Sequence, residues 1–316
     1  MLKKKAIRKI GVTTITVFLI LCVYVMPSSI KKEEVLKTNV EVEEITNVSK
    51  CNIYLLNKDN LLVRTTTLSF NDKTIEDKVR TIIDSLTTKK EDIVPNGLNT
   101  LIPKNTKILG INIDEGIVSI NFSKELLDIE EEIEEILVEA ISYSLLELDN
   151  INGVSIYVNG DNISNLLSTK VPSIITKDFG INKAYNITSS KDVLKYVIYY
   201  LEEIDNKEYY VPITRYVNDS RDKIKVIIEN LSSSYIYESN LMSFLNHNTK
   251  LINYEINNDI MVLNFNNSIF MNNNSILEEV VYSIGYSVFD NYNVKELIFK
   301  VDNKEVLKKT VKDLNK

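Results

Sequence analysis

The 316-residue sequence has few of the residues on which metal sites, disulfides and phosphate-binding loops depend. It contains one histidine, two cysteines, eight glycines, five prolines and no tryptophan. A single histidine excludes multi-histidine metal centres and argues against histidine-dependent acid–base chemistry. The glycines form no G-x-G-x-x-G or Walker pattern, and the cysteines form no C-x-x-C pair. We therefore predict no catalytic residues, no cofactor and no metal ion.

The charge balance is acidic. Asp and Glu number 44 against 37 Lys and Arg, which gives a net charge of −7 at pH 7. A nucleic-acid-binding protein needs a basic surface that displaces counterions from phosphates, so the balance predicts no nucleic-acid partner. Hydrophobic residues make up 44% and charged residues 26% of the chain, the mixture of an ordinary globular protein.

The N-terminus carries a basic stub followed by an uncharged run. Lys and Arg are concentrated between Lys3 and Lys9, and no charged residue follows from Ile10 to Ile30. The length of this run is close to the ~20 residues that cross a bilayer as a helix. Basic residues before such a run keep the N-terminus in the cytoplasm. The pattern favours a retained single-pass membrane anchor over residues 1–30, with the rest of the chain on the extracytoplasmic side.

Two other interpretations of the N-terminal segment stay open. Cys22 could be a lipidated cysteine, although the bulky Leu21 before it makes lipidation less favoured than a plain anchor. Pro27-Ser28-Ser29 could be the cleavage region of a secretory signal. Cys51 is the only cysteine beyond this segment, so the exported part forms no intramolecular disulfide. We expect Cys51 to be a small residue at the start of a strand, with a reactive thiol or an intermolecular bridge as alternatives.

An internal repeat organises the rest of the chain. Residues 101–160 align without a gap with residues 244–303, so that Tyr143-Ser144 falls on Tyr286-Ser287. The apolar pattern is preserved through both copies. We predict two tandem copies of one domain and assign the segments as residues 1–30, stub and anchor or signal; 31–50, linker; 51–160, first domain; 161–192, connector; 193–306, second domain; 307–316, tail.

Both copies have the same predicted order of elements, β-β-α-β-β-α-β. In the first copy the strands are 52–56, 61–67, 106–113, 117–122 and 154–158, and the helices are centred on 75–86 and 129–148. Asp114-Glu115-Gly116 supplies the turn between the third and fourth strands. In the second copy Asn257-Asn258-Asp259 takes this place without a glycine. The fold class is α+β, with two helices on one face of a small sheet and a separate core in each copy.

The third and fourth strands carry a family resemblance. Leu101–Gly110, LIPKNTKILG, resembles the IPxGTKVLGV stretch of the GerMN domain. Asp114–Glu125, DEGIVSINFSKE, is similar to that family's DGVATVDFSKEF, and Asn152-Gly153-Val154 also fits the family pattern. The resemblance covers both copies, about two thirds of the chain. It is weaker in the second copy, where Asn246 replaces Pro103.

The resemblance implies a non-enzymatic role in spore-forming bacteria. GerMN-domain proteins are anchored on the outer face of the mother-cell membrane and help to assemble the channel complex that links mother cell and forespore. Their domains resemble the ring-building motifs of secretion machines. The expected partners are therefore the membrane and sporulation channel proteins, with self-association as a further option. A cell-envelope module that binds a small ligand or peptidoglycan remains the alternative.

Two features are candidates for a partner-binding surface. Glu131 and Glu135 belong to an acidic run that, with Glu139, lies off the apolar stripe of the second helix. A solvated face explains this run most simply, and a basic partner is the alternative. Tyr209 and Tyr210 are neighbours on a predicted strand, so one of them should face outward. Tyrosine is enriched at protein interfaces, although a place in the core is the simpler explanation.

Overall fold

The computed structural model describes residues 13–19, 48–70, 74–88, 94–233, 240–271 and 275–314. The chain divides into two compact units, residues 1–44 and residues 45–316. In the first unit, residues 13–19 form an exposed helix. No helix in the described ranges combines the length and the apolar character needed to span a bilayer. Cys22 and most of the predicted anchor and linker lie outside the described residues.

The first copy contains six strands and two α-helices in the described part of the chain. These are β1 (Val48–Leu56), β2 (Leu62–Phe70), α1 (Ile75–Leu86), β3 (Ile108–Asp114), β4 (Ile117–Phe122), α2 (Glu134–Leu146), β5 (Gly153–Val158) and β6 (Asp161–Asn162). The order matches the prediction, with the short β6 added from the first two residues of the segment assigned as the connector. Thr74 caps α1 in a reciprocal capping box with Asp77. The second helix is shorter than predicted, because residues 131–133 form a separate 3-10 turn.

The second copy repeats this order and continues into the segment assigned as the tail, where its last strand ends and a short helix follows. The connector contributes β7 (Ala184–Asn186), and the copy itself contains β8 (Val193–Ile204), β9 (Lys207–Asn218), α3 (Lys223–Ser232), β10 (Leu251–Asn257), β11 (Ile260–Phe265), α4 (Glu278–Asn291), β12 (Glu296–Val301), β13 (Lys304–Thr310) and α5 (Val311–Leu314). The β10–β11 hairpin forms without glycine, as predicted. Asn258 provides the left-handed turn residue, with a φ of 56°.

The described strands form three sheets rather than one small sheet in each copy. Each copy has its own four-stranded sheet, β3-β4-β5-β6 or β10-β11-β12-β13. The hairpins β1–β2 and β8–β9 instead share a five-stranded sheet with β7. The expectation of two helices on one face of a small sheet is therefore wrong. The physical reason is that the hairpins are buried on both faces, as the neighbours Tyr54 and Leu55 illustrate, and so need packing layers on both sides.

One hydrophobic core extends through both copies. The largest cluster of buried side chains includes Ile141 and Val79 from the first copy and Ile284 and Ile227 from the second. The expectation of a separate core in each copy is wrong, because the shared sheet lets the two apolar interiors meet. The fourth residue of β1, Cys51, is 5% exposed and belongs to this cluster.

Replacing Ile141 or Ile284 with alanine should lower the free energy of unfolding by about 2–5 kcal/mol, because each side chain is fully buried. Since both belong to one core, we expect each variant to shift a single unfolding transition in urea, followed by circular dichroism. Leu109→Ala is the control, because Leu109 is 52% exposed. Two separate transitions, or losses below about 1 kcal/mol at both isoleucines, would contradict the shared core.

Candidate functional site

Two equivalent tyrosines meet where the copies join. Tyr54 lies on β1 and Tyr199 on β8, and both side chains are fully buried. Their hydroxyl oxygens are 3.4 Å apart. Close by, the Asn57 side-chain amide donates a 2.6 Å hydrogen bond to Glu202, which occupies the equivalent position in the second copy. The junction therefore has approximate twofold symmetry, with like elements facing each other.

Each of these tyrosines donates to a carboxylate of its own copy. The Tyr54 hydroxyl donates to Glu147 over 3.1 Å, and the Tyr199 hydroxyl donates to Asp290 over 2.6 Å. Glu147 caps the C-terminus of α2, and Asp290 lies in the last turn of α4. A helix C-terminus disfavours negative charge, so these carboxylates require cations nearby.

Two cations supply that charge. Arg64 on β2 forms a 3.0 Å ion pair with Glu147, and Lys177 of the connector forms an ion pair with Asp290. The Arg64 guanidinium also donates a 2.9 Å hydrogen bond to the Tyr286 hydroxyl and lies 4.3 Å from the centre of that ring. Arg64 therefore joins α2 of the first copy to α4 of the second.

Two equivalent serines fix the helices to the hairpins. The backbone N–H of Tyr54 donates to the Ser144 hydroxyl, and that of Tyr199 donates to Ser287, each over 3.0 Å. Each hydroxyl then donates to a carbonyl one turn earlier, on Ala140 or Ser283. Each serine thus satisfies one outward-facing N–H group of β1 or β8, which is a structural role.

Burial and charge set the protonation states at the junction. Burial alone raises the pKa of Glu147, but the positive charges of Arg64 and Lys177 and hydrogen bonds from Arg64 and Tyr54 outweigh it and hold the pKa at about 2. Burial raises the pKa of Tyr54 and of Tyr199 well above the ordinary tyrosine value, and the neighbouring carboxylates add to the effect. At neutral pH the junction thus contains ionised Glu147 and neutral tyrosines.

The residues predicted to bind a partner lie in three separate places. Tyr210 packs against Tyr282 and Tyr286, with ring centres 5.9 and 5.2 Å apart, and together with Tyr209 it lines a cavity of about 330 Å³ beside the junction. Glu135 lines a different cavity, of about 460 Å³. Glu131 is exposed in the 3-10 turn before α2. Partner binding by these residues stays a prediction.

The acidic face of α2 is used partly inside the molecule. Glu135 and Glu139 accept hydrogen bonds of 2.7 and 2.8 Å from the Lys183 ammonium group of the connector. Glu139 was expected on the solvated face but is only 3% exposed, and burial raises its pKa despite the charge of Lys183. The expectation was wrong because the connector, which has no periodic pattern, covers this part of the helix.

Sequence reasoning missed Arg64, Glu147 and Asp290 as members of the junction. The signal was present in part, because Tyr54 aligns with Tyr199 and Glu147 falls on Asp290 in the repeat alignment. In the described residues, no group of three or more His, Cys, Asp or Glu side chains could hold a metal ion. The tyrosine hydroxyls, the Glu147 and Asp290 carboxylates and the Arg64 guanidinium are joined by hydrogen bonds and ion pairs, so the arrangement is suited to holding two domains in fixed positions.

The fold and the junction define a tandem α+β repeat protein whose two domains share a sheet. The family model described as "Germane: Sporulation and spore germination" matches residues 52–164 and 197–307. The chain belongs to this family of sporulation and spore germination proteins. The resemblance to the GerMN domain is thereby confirmed, and the two matched ranges correspond to the two copies.

Two Bacillus subtilis comparisons extend this assignment. The chain is 25% identical over 291 residues to "Spore germination protein GerM" of strain 168, an alignment that covers 88% of this chain and 78% of the relative. The solved structure "Tandem GerMN domains of the sporulation protein GerM" superimposes with a TM-score of 0.73 at 25% identity, covering 82% of this chain and 92% of that one. The chain is therefore a GerM-like protein with tandem GerMN domains.

Replacing Glu147 with glutamine should destabilise the protein by about 3–5 kcal/mol at pH 7, because Arg64 is left buried without its counter-charge. The folded-state pKa of Glu147, about 2, lies below its ordinary value of 4.5. Its stabilisation is therefore complete above pH ~4.5 and is lost as the pH falls towards 2. Urea unfolding at pH 7, 5, 4 and 3 should show the deficit of the variant shrinking with acidification.

Glu76→Gln is the control for this prediction. Glu76 pairs with Arg80 on α1, but both side chains are 48% exposed, so the loss should stay below about 1 kcal/mol. An equal effect of the two substitutions at pH 7, or a deficit for Glu147→Gln that does not change with pH, would show that the Glu147 charge does not stabilise the junction.

Proposed function

We propose that the chain is a non-enzymatic, membrane-anchored scaffold or assembly factor for the channel complex between mother cell and forespore. Membership of the sporulation and spore germination family supports the biological setting. The resemblance of GerMN domains to ring-building motifs supports a role in assembly. Sporulation channel proteins and the membrane are the proposed partners, and self-association is a further option.

The buried junction is the observation that carries this proposal. Arg64, Glu147 and the tyrosine pair join the two copies, and residues 45–316 form one compact unit. A scaffold must present its partner-binding surfaces at fixed relative positions, and a shared sheet with a shared core provides this property. An enzyme would instead need reactive groups that can reach a substrate. The charged and hydroxyl groups at this junction instead form hydrogen bonds and ion pairs with one another.

The N-terminal sequence supports a membrane location for the scaffold. The basic stub between Lys3 and Lys9 precedes an uncharged run of membrane-spanning length, so a single N-terminal pass would hold the domains on the extracytoplasmic side. Attachment through a lipid on Cys22 is the less favoured form of the same anchor, because Leu21 is bulky for a lipidation site.

A fluorescent fusion followed through sporulation tests the proposal. We expect the fusion to collect at the membrane that engulfs the forespore and to co-purify with channel proteins from detergent extracts. A fusion without residues 2–30 is the control and should remain in the cytoplasm. Uniform cytoplasmic fluorescence of the intact fusion, or purification without any channel protein, would refute the scaffold role.

An exposed tyrosine stacked on a half-buried one favours the alternative of an envelope-binding module. Tyr185 on β7 is 63% exposed and stacks on Tyr216 of β9, with ring centres 4.8 Å apart and planes within 13°. Stacked aromatic faces suit contact with sugar rings. If this alternative holds, Tyr185→Ala should reduce co-sedimentation with purified peptidoglycan several-fold, whereas Ile187→Ala should not. Equal sedimentation of both variants and the wild type would exclude this pair as a glycan site.

A further inference from the structure

The hairpins of the two copies correspond residue by residue, although their turns differ in length. Tyr54 pairs with Arg64 across β1–β2, and its counterpart Tyr199 pairs with Pro212 across β8–β9. Arg64 therefore corresponds to Pro212, and by the same count Leu68 corresponds to Tyr216. The inner edge of β2 or β9 is defined as the edge that faces away from the other strand of its own hairpin. The correspondence allows these two inner edges to be compared.

The connector covers the inner edge of β9. β7 runs parallel to β9, pairing Tyr185 with Tyr216. Just before β7, the Asn182 side chain exchanges two hydrogen bonds of 2.8 Å with the backbone of Leu62 and donates a third to the Pro212 carbonyl. Lys183 then pairs with the carboxylates of α2. The connector thus binds the central sheet as an added strand.

The equivalent edge of β2 has no such cover in the described structure. On the side away from β1, β2 pairs with a described strand at Arg64 alone, opposite Tyr210. Leu62 uses its N–H and C=O groups on that side, so the alternation of an antiparallel strand directs those of Thr66 and Leu68 to the same side. Both residues are exposed. The edge beyond Arg64 therefore offers a row of backbone groups for strand pairing.

The cavity of about 330 Å³ lies next to this open edge. Its wall includes Thr65 and Thr66 of β2, together with Tyr209 and Tyr210 of β9. The C-terminal helix α5 closes one end, where the Tyr286 hydroxyl donates to the Leu314 carbonyl. The equivalent Tyr143 hydroxyl donates to the carbonyl of Lys177 in the connector. α5 therefore corresponds to the short 3-10 turn Lys177–Phe179 that precedes β7 in the connector, and the open edge corresponds to the place of β7.

The surrounding residues define what an added strand should carry. Glu135 and Glu139, which hold Lys183, correspond to Glu278 and Tyr282 in the second copy. A carboxylate and an aromatic ring also suit a cation. Two residues further along, Tyr185 stacks on Tyr216, whose counterpart Leu68 is apolar and 50% exposed. A matching strand would carry a basic residue followed two positions later by an apolar one.

We propose that the open edge of β2 and the adjoining tyrosine-lined cavity bind an extended segment of a partner protein, which adds to the central sheet parallel to β2. A basic residue of that segment faces Glu278, and an apolar residue two positions later covers Leu68. Main-chain pairing provides affinity, and these two side chains provide specificity, as in other strand-addition sites. The inference names the chemistry of a partner, so it rests on the proposed scaffold role.

A synthetic peptide with the connector's own sequence, Gly180–Ile187, is the probe, because it has the required basic and apolar spacing. We expect saturable binding to the full-length protein in detergent, measured by fluorescence anisotropy, with a Kd below about 1 mM. Thr66→Pro removes one outward N–H without affecting the pairing with β1 and should weaken binding at least about tenfold. Unchanged unfolding midpoints would verify that the variant folds.

A charge exchange provides the second measurement. Glu278 is exposed in the first turn of α4, so Glu278→Lys should fold normally. This variant should bind the peptide about tenfold more weakly, and a peptide with Lys183→Glu should regain most of the loss. Absence of saturable binding up to 1 mM, or binding that neither variant alters, would overturn the proposal.

Two further outcomes would also overturn it. Self-association that Thr66→Pro abolishes would assign the open edge to a second copy of the chain. Binding that Glu135→Lys weakens while Glu278→Lys does not would place the peptide on β9 in exchange for the connector. Failure of peptide binding at the edge of β2 is distinguishable from failure of the scaffold role. The scaffold role is tested by collection of the fusion at the membrane that engulfs the forespore, and this result does not depend on the peptide.

Discussion

The shared central sheet is the constraint on which the rest of the structure depends. It places Tyr54 and Tyr199 against each other, and their hydroxyls then need the carboxylates of Glu147 and Asp290. Those carboxylates lie at helix C-termini, so they need Arg64 and a connector lysine. Removing one of these side chains leaves its partner buried and unpaired, which lowers the free energy of unfolding more than the loss of a single surface contact does. The two copies are therefore held together by mutually dependent contacts.

Local elements could be predicted from the sequence because their signals are local. The alternation through Ile117–Phe122, the stripe from Ile75 to Leu86 and the Asn258 turn each report the environment of a few neighbouring residues, and the structure has the corresponding elements. The repeat added long-range information, because two weak patterns in one order support each other. The family resemblance came from the β3–β4 hairpin and its flanking residues, and it was confirmed over both copies.

The shared sheet and the role of Glu139 could not be predicted in this way. Periodicity shows that a strand is buried but not which strand lies beside it, so the hairpins were assigned to separate sheets. Glu139 looks solvated on a helical projection, and only the distant Lys183 explains its burial. The Arg64–Glu147 pair likewise joins residues far apart in the chain. A single sequence indicates such pairs only where the repeat places chemically similar residues at equivalent positions, as it does for the acidic residues Glu147 and Asp290.

The two copies differ at the inner edges of β2 and β9. A duplicated domain begins with two equal edges, and an uncovered edge invites unwanted pairing. The connector covers one edge, and Asn182 and Lys183 fix it there with hydrogen bonds to β2, β9 and α2. At the other edge the second copy has Tyr282 where the first has Glu139, and tyrosines line the cavity. This replacement removes a buried charge that would need an internal cation, which is what an edge without a connector requires.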